Sequence, residues 1–257
     1  MQMRHVAIAL ILAFLACGGN KDTGAGRSVL RIGTDATYPP FETVNTNTGQ
    51  PEGFDIDLIT EICKINGWKP EFVITPFDGI IPGLTGGKYD VVISSMTITP
   101  QREAVVDFSN PYYLAGQSIA VPLDNTTIKG ASDLVDKRVG VQLGTTGELM
   151  AQKIAGVKVF SFDNIGAAFI DMANGHLDAI MNDFPTTQAY IRAHGTAKTV
   201  GGLLSTEHYG IAVRKGDAAL LKSINSALAK IKAGDTYRQL HMKWFDAEPA
   251  SEAESSK

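Results

Sequence analysis

From about residue 29 to about residue 246, short β-branched apolar runs alternate with stretches whose apolar residues return every three or four positions. The first pattern suits buried strands and the second suits amphipathic helices. Strands are expected over 29–33, 70–74, 89–94, 138–142, 157–160, 177–181 and 211–214. Helices are expected over 54–66, 77–86, 147–154 and 217–234, the last striped by Leu220, Leu221, Ile224, Leu228 and Ile231. A further helix is capped by Asp163 or Asn164 and stopped by Gly175. Asp55 reads as the N-cap of the 54–66 helix and Gly67 as its stop. Such alternation indicates α/β layers with mostly parallel strands. The pattern runs twice, from 29 to about 114 and from about 118 to 204, with 211–214 assigned to neither by order. Two α/β lobes are therefore expected, with a cleft between them at the carboxyl ends of the strands.

The ends differ from this body. Residues 1–5 carry Arg4, and 6–15 are an unbroken apolar run, far short of the roughly 20 residues a membrane-spanning helix needs. Ala16 and Cys17 follow, then polar, glycine-rich sequence, which makes this an export signal. Cys17 is placed as a bacterial lipobox cysteine would be, although Phe14 and Leu15 depart from the usual pattern; ordinary secretion is the alternative. Residues 18–28 read as a flexible tether and 247–257 as a disordered tail. The expected organisation is 1–17 signal and anchor, 18–28 tether, 29–115 plus 211–246 one lobe, 116–210 the other, and 247–257 tail.

Composition narrows the chemistry. The chain has 257 residues, enough for one large domain or two ordinary ones, and its 44% hydrophobic and 19% charged residues fit a globular core. A net charge of -4 argues against a phosphate-backbone binder, so no nucleic-acid partner is expected. His5, His176, His194, His208 and His241 are too scattered to offer metal-ligand spacing, and neither metal nor cofactor is expected. Gly87 and Lys88 do not complete a phosphate loop, because Tyr89 follows. Cys63 lies among Ile59, Ile62 and Ile65 and reads as a small buried hydrophobe; with Cys17 as an anchor, no disulfide can form.

Several segments carry candidate chemistry. Ser94, Ser95, Thr97 and Arg102 collect at a strand end, where Thr99 and Pro100 suit a helix start. Hydroxyls, free N–H groups and a guanidinium that pairs carboxylates make an anion site; a capped helix with a surface arginine is the plainer alternative. Asp35 to Glu42 follow the first strand, and Tyr38 there offers a flat face with a polar tip. The 144–147 segment, with Thr145 and Thr146, and the pair Asn182 and Asp183 follow strands of the second unit.

In combination these segments resemble the polar amino acid-binding proteins of ABC importers, with the type II periplasmic binding fold of two α/β lobes joined by two hinge crossings. The resemblance covers nearly all of 29–246. It rests on Gly33-Thr34-Asp35 with 38–42, Gly53-Phe54-Asp55-Ile56-Asp57-Leu58, 77–84, 94–102, Asp107-Phe108-Ser109 with Pro111-Tyr112-Tyr113, and 139–146. It implies that Ser95, Thr97 and Arg102 hold the ligand α-carboxylate and Asp183 its α-ammonium. Tyr38 and Phe77 would sandwich the side chain, Thr145 and Thr146 would add contacts, and Ser94 and Asp35 complete the set. Hinges are expected near 115–118 and 209–212. Basic-ligand members often carry a first-lobe disulfide, which Cys63 alone cannot form. The implied role is a monomeric, lipid-anchored extracytoplasmic receptor that delivers a free L-amino acid to an ABC permease. Asp35, Glu42 and Asp55, with no Lys or Arg between Arg31 and Lys64, favour arginine or lysine over glutamine and other polar ligands. Alternatives are a dehydratase of prephenate-like acids, which would need a proton donor in the cleft, and a sensory ectodomain, which would need a transmembrane helix and a signalling domain.

Overall fold

The structure, a computed structural model, describes residues 27–249; the signal segment with Cys17, residues 18–26 and residues 250–257 lie outside the described residues. Its strands and α-helices begin with β1 (Val29–Thr34), β2 (Thr37–Tyr38), β3 (Glu42–Val44), β4 (Pro51–Glu52), α1 (Phe54–Asn66), β5 (Lys69–Ile74) and α2 (Phe77–Thr85). Next come β6 (Val91–Val92), α3 (Pro100–Glu103), β7 (Val106–Phe108), β8 (Tyr113–Ala115), β9 (Gln117–Pro122), β10 (Arg138–Gln142), α4 (Thr146–Ala151) and β11 (Lys158–Phe162). The chain continues through α5 (Ile165–Ala173), β12 (Ala179–Asp183), α6 (Phe184–His194), β13 (Ala197–Val200), β14 (Glu207–Tyr209), β15 (Ala212–Arg214), α7 (Ala218–Ala233) and α8 (Asp235–Phe245).

Two five-stranded sheets result, ordered β5-β1-β6-β15-β7 and β11-β10-β12-β9-β13. In each, four strands run in one direction and the fourth position is taken by an antiparallel strand that has just crossed from the other half: β15 in the first sheet, β9 in the second. Between the sheets the two crossings pair as a ribbon, with β8 antiparallel to β14 and Tyr113 opposite Tyr209. The fold is therefore a two-lobed α/β protein whose strand ends face one cleft.

Helix faces explain the packing. In α1, Leu58, Ile59 and Ile62 are fully buried against Leu30 and Ile32 of β1, and Ile224 and Leu228 of α7 join the same core. Each such side chain adds roughly 1.5–3 kcal/mol by leaving water. Ile119, Val139, Val141 and Met181 form the corresponding core of the second half. Gly33 and Gly83 let Tyr89 lie flat inside the first lobe: a Cβ on either would come within 2.6 or 2.2 Å of its ring or hydroxyl. Cys63 is buried, and burial pushes its thiol up to about 12.

Helix α8 closes the first lobe over the crossings. His241 stacks on Tyr113 at 5.9 Å, Phe245 lies 5.1 Å from the Tyr113 and Phe41 rings, and Tyr113 stacks on Tyr209 at 5.7 Å. The Tyr237 hydroxyl donates to the Tyr112 carbonyl at 2.7 Å.

Some local expectations are corrected. Asp55 does not cap α1: the helix starts at Phe54, Gly53 holds the N-cap position, and the Asp55 carboxylate points inward. The expected strand over 89–94 shrinks to Val91–Val92, because Tyr89 turns inward and donates to the Ile80 carbonyl at 2.5 Å. The helix after Thr99 is only Pro100–Glu103, too short to act as an anion site through its own dipole.

Candidate functional site

Every proposed binding residue lines one cavity between the lobes, and Glu42 and Gln142 line it too. The first lobe supplies Asp35 and Tyr38 from the loop after β1, Phe77 from the start of α2, and Ser94, Ser95, Thr97 and Arg102 from the segment after β6. The second lobe supplies Thr145 and Thr146 at the start of α4 and Asp183 at the end of β12.

Arg102 is the single arginine or lysine lining the cavity. Its guanidinium donates to the carbonyls of Thr97 at 2.7 Å and Gly144 at 3.1 Å, and lies 5.2 Å from the centroid of the Phe77 ring. It pairs with no carboxylate among the described residues. Burial lowers its pKa, while the charges of Asp183 and Glu207 act in the opposite direction. An arginine held by carbonyls and a ring face retains donor capacity for a carboxylate ligand.

Acids dominate the rest of the wall. Asp35 accepts from the Thr37 hydroxyl at 2.6 Å and from Gln142 Nε2 at 2.9 Å; burial raises its pKa against these two bonds. Glu42 is fully buried and accepts from the hydroxyls of Thr34 and, at 2.5 Å, Ser94. Burial, then the charges of Asp55 and Asp35, push it well above the usual carboxylate range. Asp183 accepts from Gln117 Nε2 and the Tyr209 hydroxyl, and burial with the charge of Glu207 raises it to about 7. None of the three has a cationic partner within ion-pair distance, which is costly for an ionised group unless a ligand supplies one.

Backbone geometry shapes the floor. Ser95 adopts φ 46°, in the left-handed region where non-glycine residues are uncommon. It is held there by Asp55, whose Oδ2 accepts from the Ser95 N–H at 2.7 Å and the Tyr112 hydroxyl at 2.8 Å. Burial raises Asp55 to about 7. Thr145 spends its hydroxyl on local structure, donating to the Gln142 carbonyl at 2.7 Å and capping α4 by accepting from the Glu148 N–H. The lobes touch directly where the Tyr38 hydroxyl donates to Asn182 Oδ1 at 2.6 Å.

Two lining residues were absent from the proposed set. Glu42, named above only as an acid near the side chain, is held by the hydroxyls of Thr34, a few residues earlier, and of Ser94, on a distant segment. Gln142 ends a correctly expected strand, and its position at a carboxyl end was the available signal. No cluster of three or more metal-ligating side chains occurs among the described residues.

The sequence matches the family model for bacterial extracellular solute-binding proteins, family 3, over residues 30–247. It is 36% identical over 249 residues to a probable histidine-binding protein of Neisseria gonorrhoeae, covering 92% of each chain. The structure superposes on an ancestral arginine-binding protein bound to arginine with TM-score 0.82 and 49% identity, covering 85% of this chain and 99% of that one. An ancestral arginine-binding protein bound to glutamine gives TM-score 0.83 and 49% identity, with 86% and 99% covered.

Proposed function

This chain belongs to the bacterial extracellular solute-binding proteins, family 3, and we propose that it captures a free basic L-amino acid, arginine or lysine first, for an ABC permease. One observation carries the ligand assignment: Asp35, Glu42 and Asp183 line the cavity against Arg102 alone. An amino acid's own carboxylate and ammonium balance Arg102 and Asp183, which leaves Asp35 without a cation. A guanidinium or ammonium at the end of the side chain supplies it, and a guanidinium also stacks on Tyr38 or Phe77. A neutral side chain such as that of glutamine leaves Asp35 unbalanced.

Binding is the role, not catalysis: the proteins reported above are binding proteins, and the wall offers acceptors for an amine. Competition among arginine, lysine, histidine, glutamine and glutamate for the purified 27–249 region tests the ligand. Arginine or lysine is expected to bind tightest. Glutamine or glutamate binding about tenfold more tightly than both, a difference of about 1.4 kcal/mol, overturns the basic assignment and leaves the family standing.

The receptor is a monomer held at the extracytoplasmic face by a lipid on Cys17. Replacing Cys17 with Ser should release it from membranes and stop metabolic lipid labelling. Wild-type protein found wholly in the soluble fraction rules the anchor out and leaves ordinary secretion.

A further inference from the structure

We propose that Glu207 is a positioning residue for the ligand's amino group, setting which way the hydroxyls of Thr97 and Thr146 point when the lobes close. This rests on the reading that an amino acid occupies the cavity. Glu207 lies on β14, in the second crossing, buried behind the cavity wall. Its Oε2 accepts from Thr97 of the first lobe at 2.7 Å and from Thr146 of the second at 2.8 Å. Its Oε1 accepts from the Ser205 hydroxyl at 2.8 Å. One carboxylate oxygen therefore joins both lobes through one hydroxyl from each.

The direction of these bonds decides what the wall can bind. A carboxylate oxygen only accepts, and a hydroxyl has a single proton to give. With both protons committed to Glu207, Thr97 and Thr146 present only lone pairs to the cavity they line. Thr146 gives one lone pair to Gln117 Nε2 at 3.1 Å, and Gln117 also donates to Asp183. Thr97, Thr146 and Asp183 thus form a wall of acceptors, which suits the three N–H donors of an α-ammonium group. The Thr97 hydroxyl cannot at the same time donate to an α-carboxylate, which is left to Arg102 and backbone N–H groups.

Ligand pairs differing only in the amino group separate this role from a merely structural one. Glu207→Met removes the acceptor at similar size, and Glu207→Gln keeps an oxygen that can accept from both threonines. The probes are L-arginine and its deaminated analogue 5-guanidinopentanoate, the latter measured by competition. If arginine fails to bind wild type, glutamine and 4-carbamoylbutanoate replace them. Glu207→Met is expected to weaken the amino acid by about tenfold or more and the deaminated analogue by less than about threefold. Glu207→Gln should recover most of the loss. Should Glu207→Met not fold, the pair Thr97→Val with Thr146→Val removes the same oxygens and should discriminate in the same way. Equal losses for both ligands, or no loss for either, overturn the assignment, as does a Glu207→Gln protein as impaired as Glu207→Met. Wild-type binding of no amino acid sinks the reading of the cavity and this assignment with it; normal wild-type binding with an undiscriminating loss sinks this assignment alone.

Discussion

Gln142 of the second lobe donates through Nε2 to the Asp35 carboxylate of the first at 2.9 Å, so the acid assigned to a ligand side chain already faces the opposite wall. Its other side-chain partner, the Thr37 hydroxyl, is also neutral. A cationic side chain would give Asp35 a charge it lacks. Asp35→Asn should therefore weaken arginine by about tenfold or more while changing glutamine by less than about threefold, since hydrogen bonds to charged groups are the stronger ones. Calorimetry with both ligands measures this. Equal effects would detach Asp35 from side-chain recognition.

Arg102→Ala should abolish useful binding of any amino acid while the fold survives. The cap of α3 uses the Arg102 backbone N–H, which donates to Thr99 Oγ1 at 3.3 Å and remains in the variant. Losing one partner of a buried charge pair costs about 2–5 kcal/mol, or about 30- to several-thousand-fold in affinity. Circular dichroism should match wild type. A loss below about threefold would remove Arg102 from the carboxylate role.

Asp183 makes binding depend on pH with a defined sign. Its folded pKa of about 7 stands above the usual value near 3.9, so between about pH 4 and pH 7 the folded, unliganded protein keeps a proton that the unfolded chain has released. Asp55, also raised to about 7, acts in the same direction. The unfolded state then binds fewer protons, and stability without ligand falls as pH rises through that window. An ammonium favours ionised Asp183, so binding at pH 6 should release a proton. Affinity should rise by up to about tenfold per pH unit between pH 5 and 7 for one linked proton, then level off. Calorimetry at pH 6 in buffers of different ionisation heat reads the proton directly; net uptake would contradict the assignment.

Closure should be visible in solution and sensitive to one hydroxyl. The Tyr38 to Asn182 bond spans the lobes, so it exists only while they are together. Ligand should lower the radius of gyration in small-angle scattering, because it favours the form it touches from both sides. Tyr38→Phe leaves the buried Asn182 oxygen without that donor in the closed form alone, at about 1–3 kcal/mol, and should weaken binding by about fivefold or more. An unchanged radius at saturating ligand would count against a clamp.

Much of this was legible in the residues. Helix α1 was readable because Leu58, Ile59 and Ile62 share a face and Gly67 stops it in the left-handed region at φ 72°. Asn164 caps α5 with its side chain, as its position suggested. By contrast α6 buries only Thr186 and Thr187, so it shows no apolar stripe. Strand β14 is three residues long with Glu207 and His208 among them, too short and too polar to stand out. Site residues that follow strands could be found from order alone. Glu42 was legible only as an acid near the ligand side chain, and Glu207 not at all, because what defines it is hydroxyls brought from distant segments.

The aromatic block under α8 has a mechanical consequence. Tyr113 and Tyr209, one from each crossing strand, are gripped by Phe41, His241 and Phe245, all first-lobe residues. The ribbon's rings thus pack on the first lobe, while the Tyr209 hydroxyl and the Glu207 carboxylate reach Asp183 and Thr146 of the second. On the far side, Gly116 passes so close to the Ser205 carbonyl that a Cβ would lie 2.2 Å from it. Any side chain at 116 would therefore wedge the two crossings apart at the second-lobe end of the ribbon.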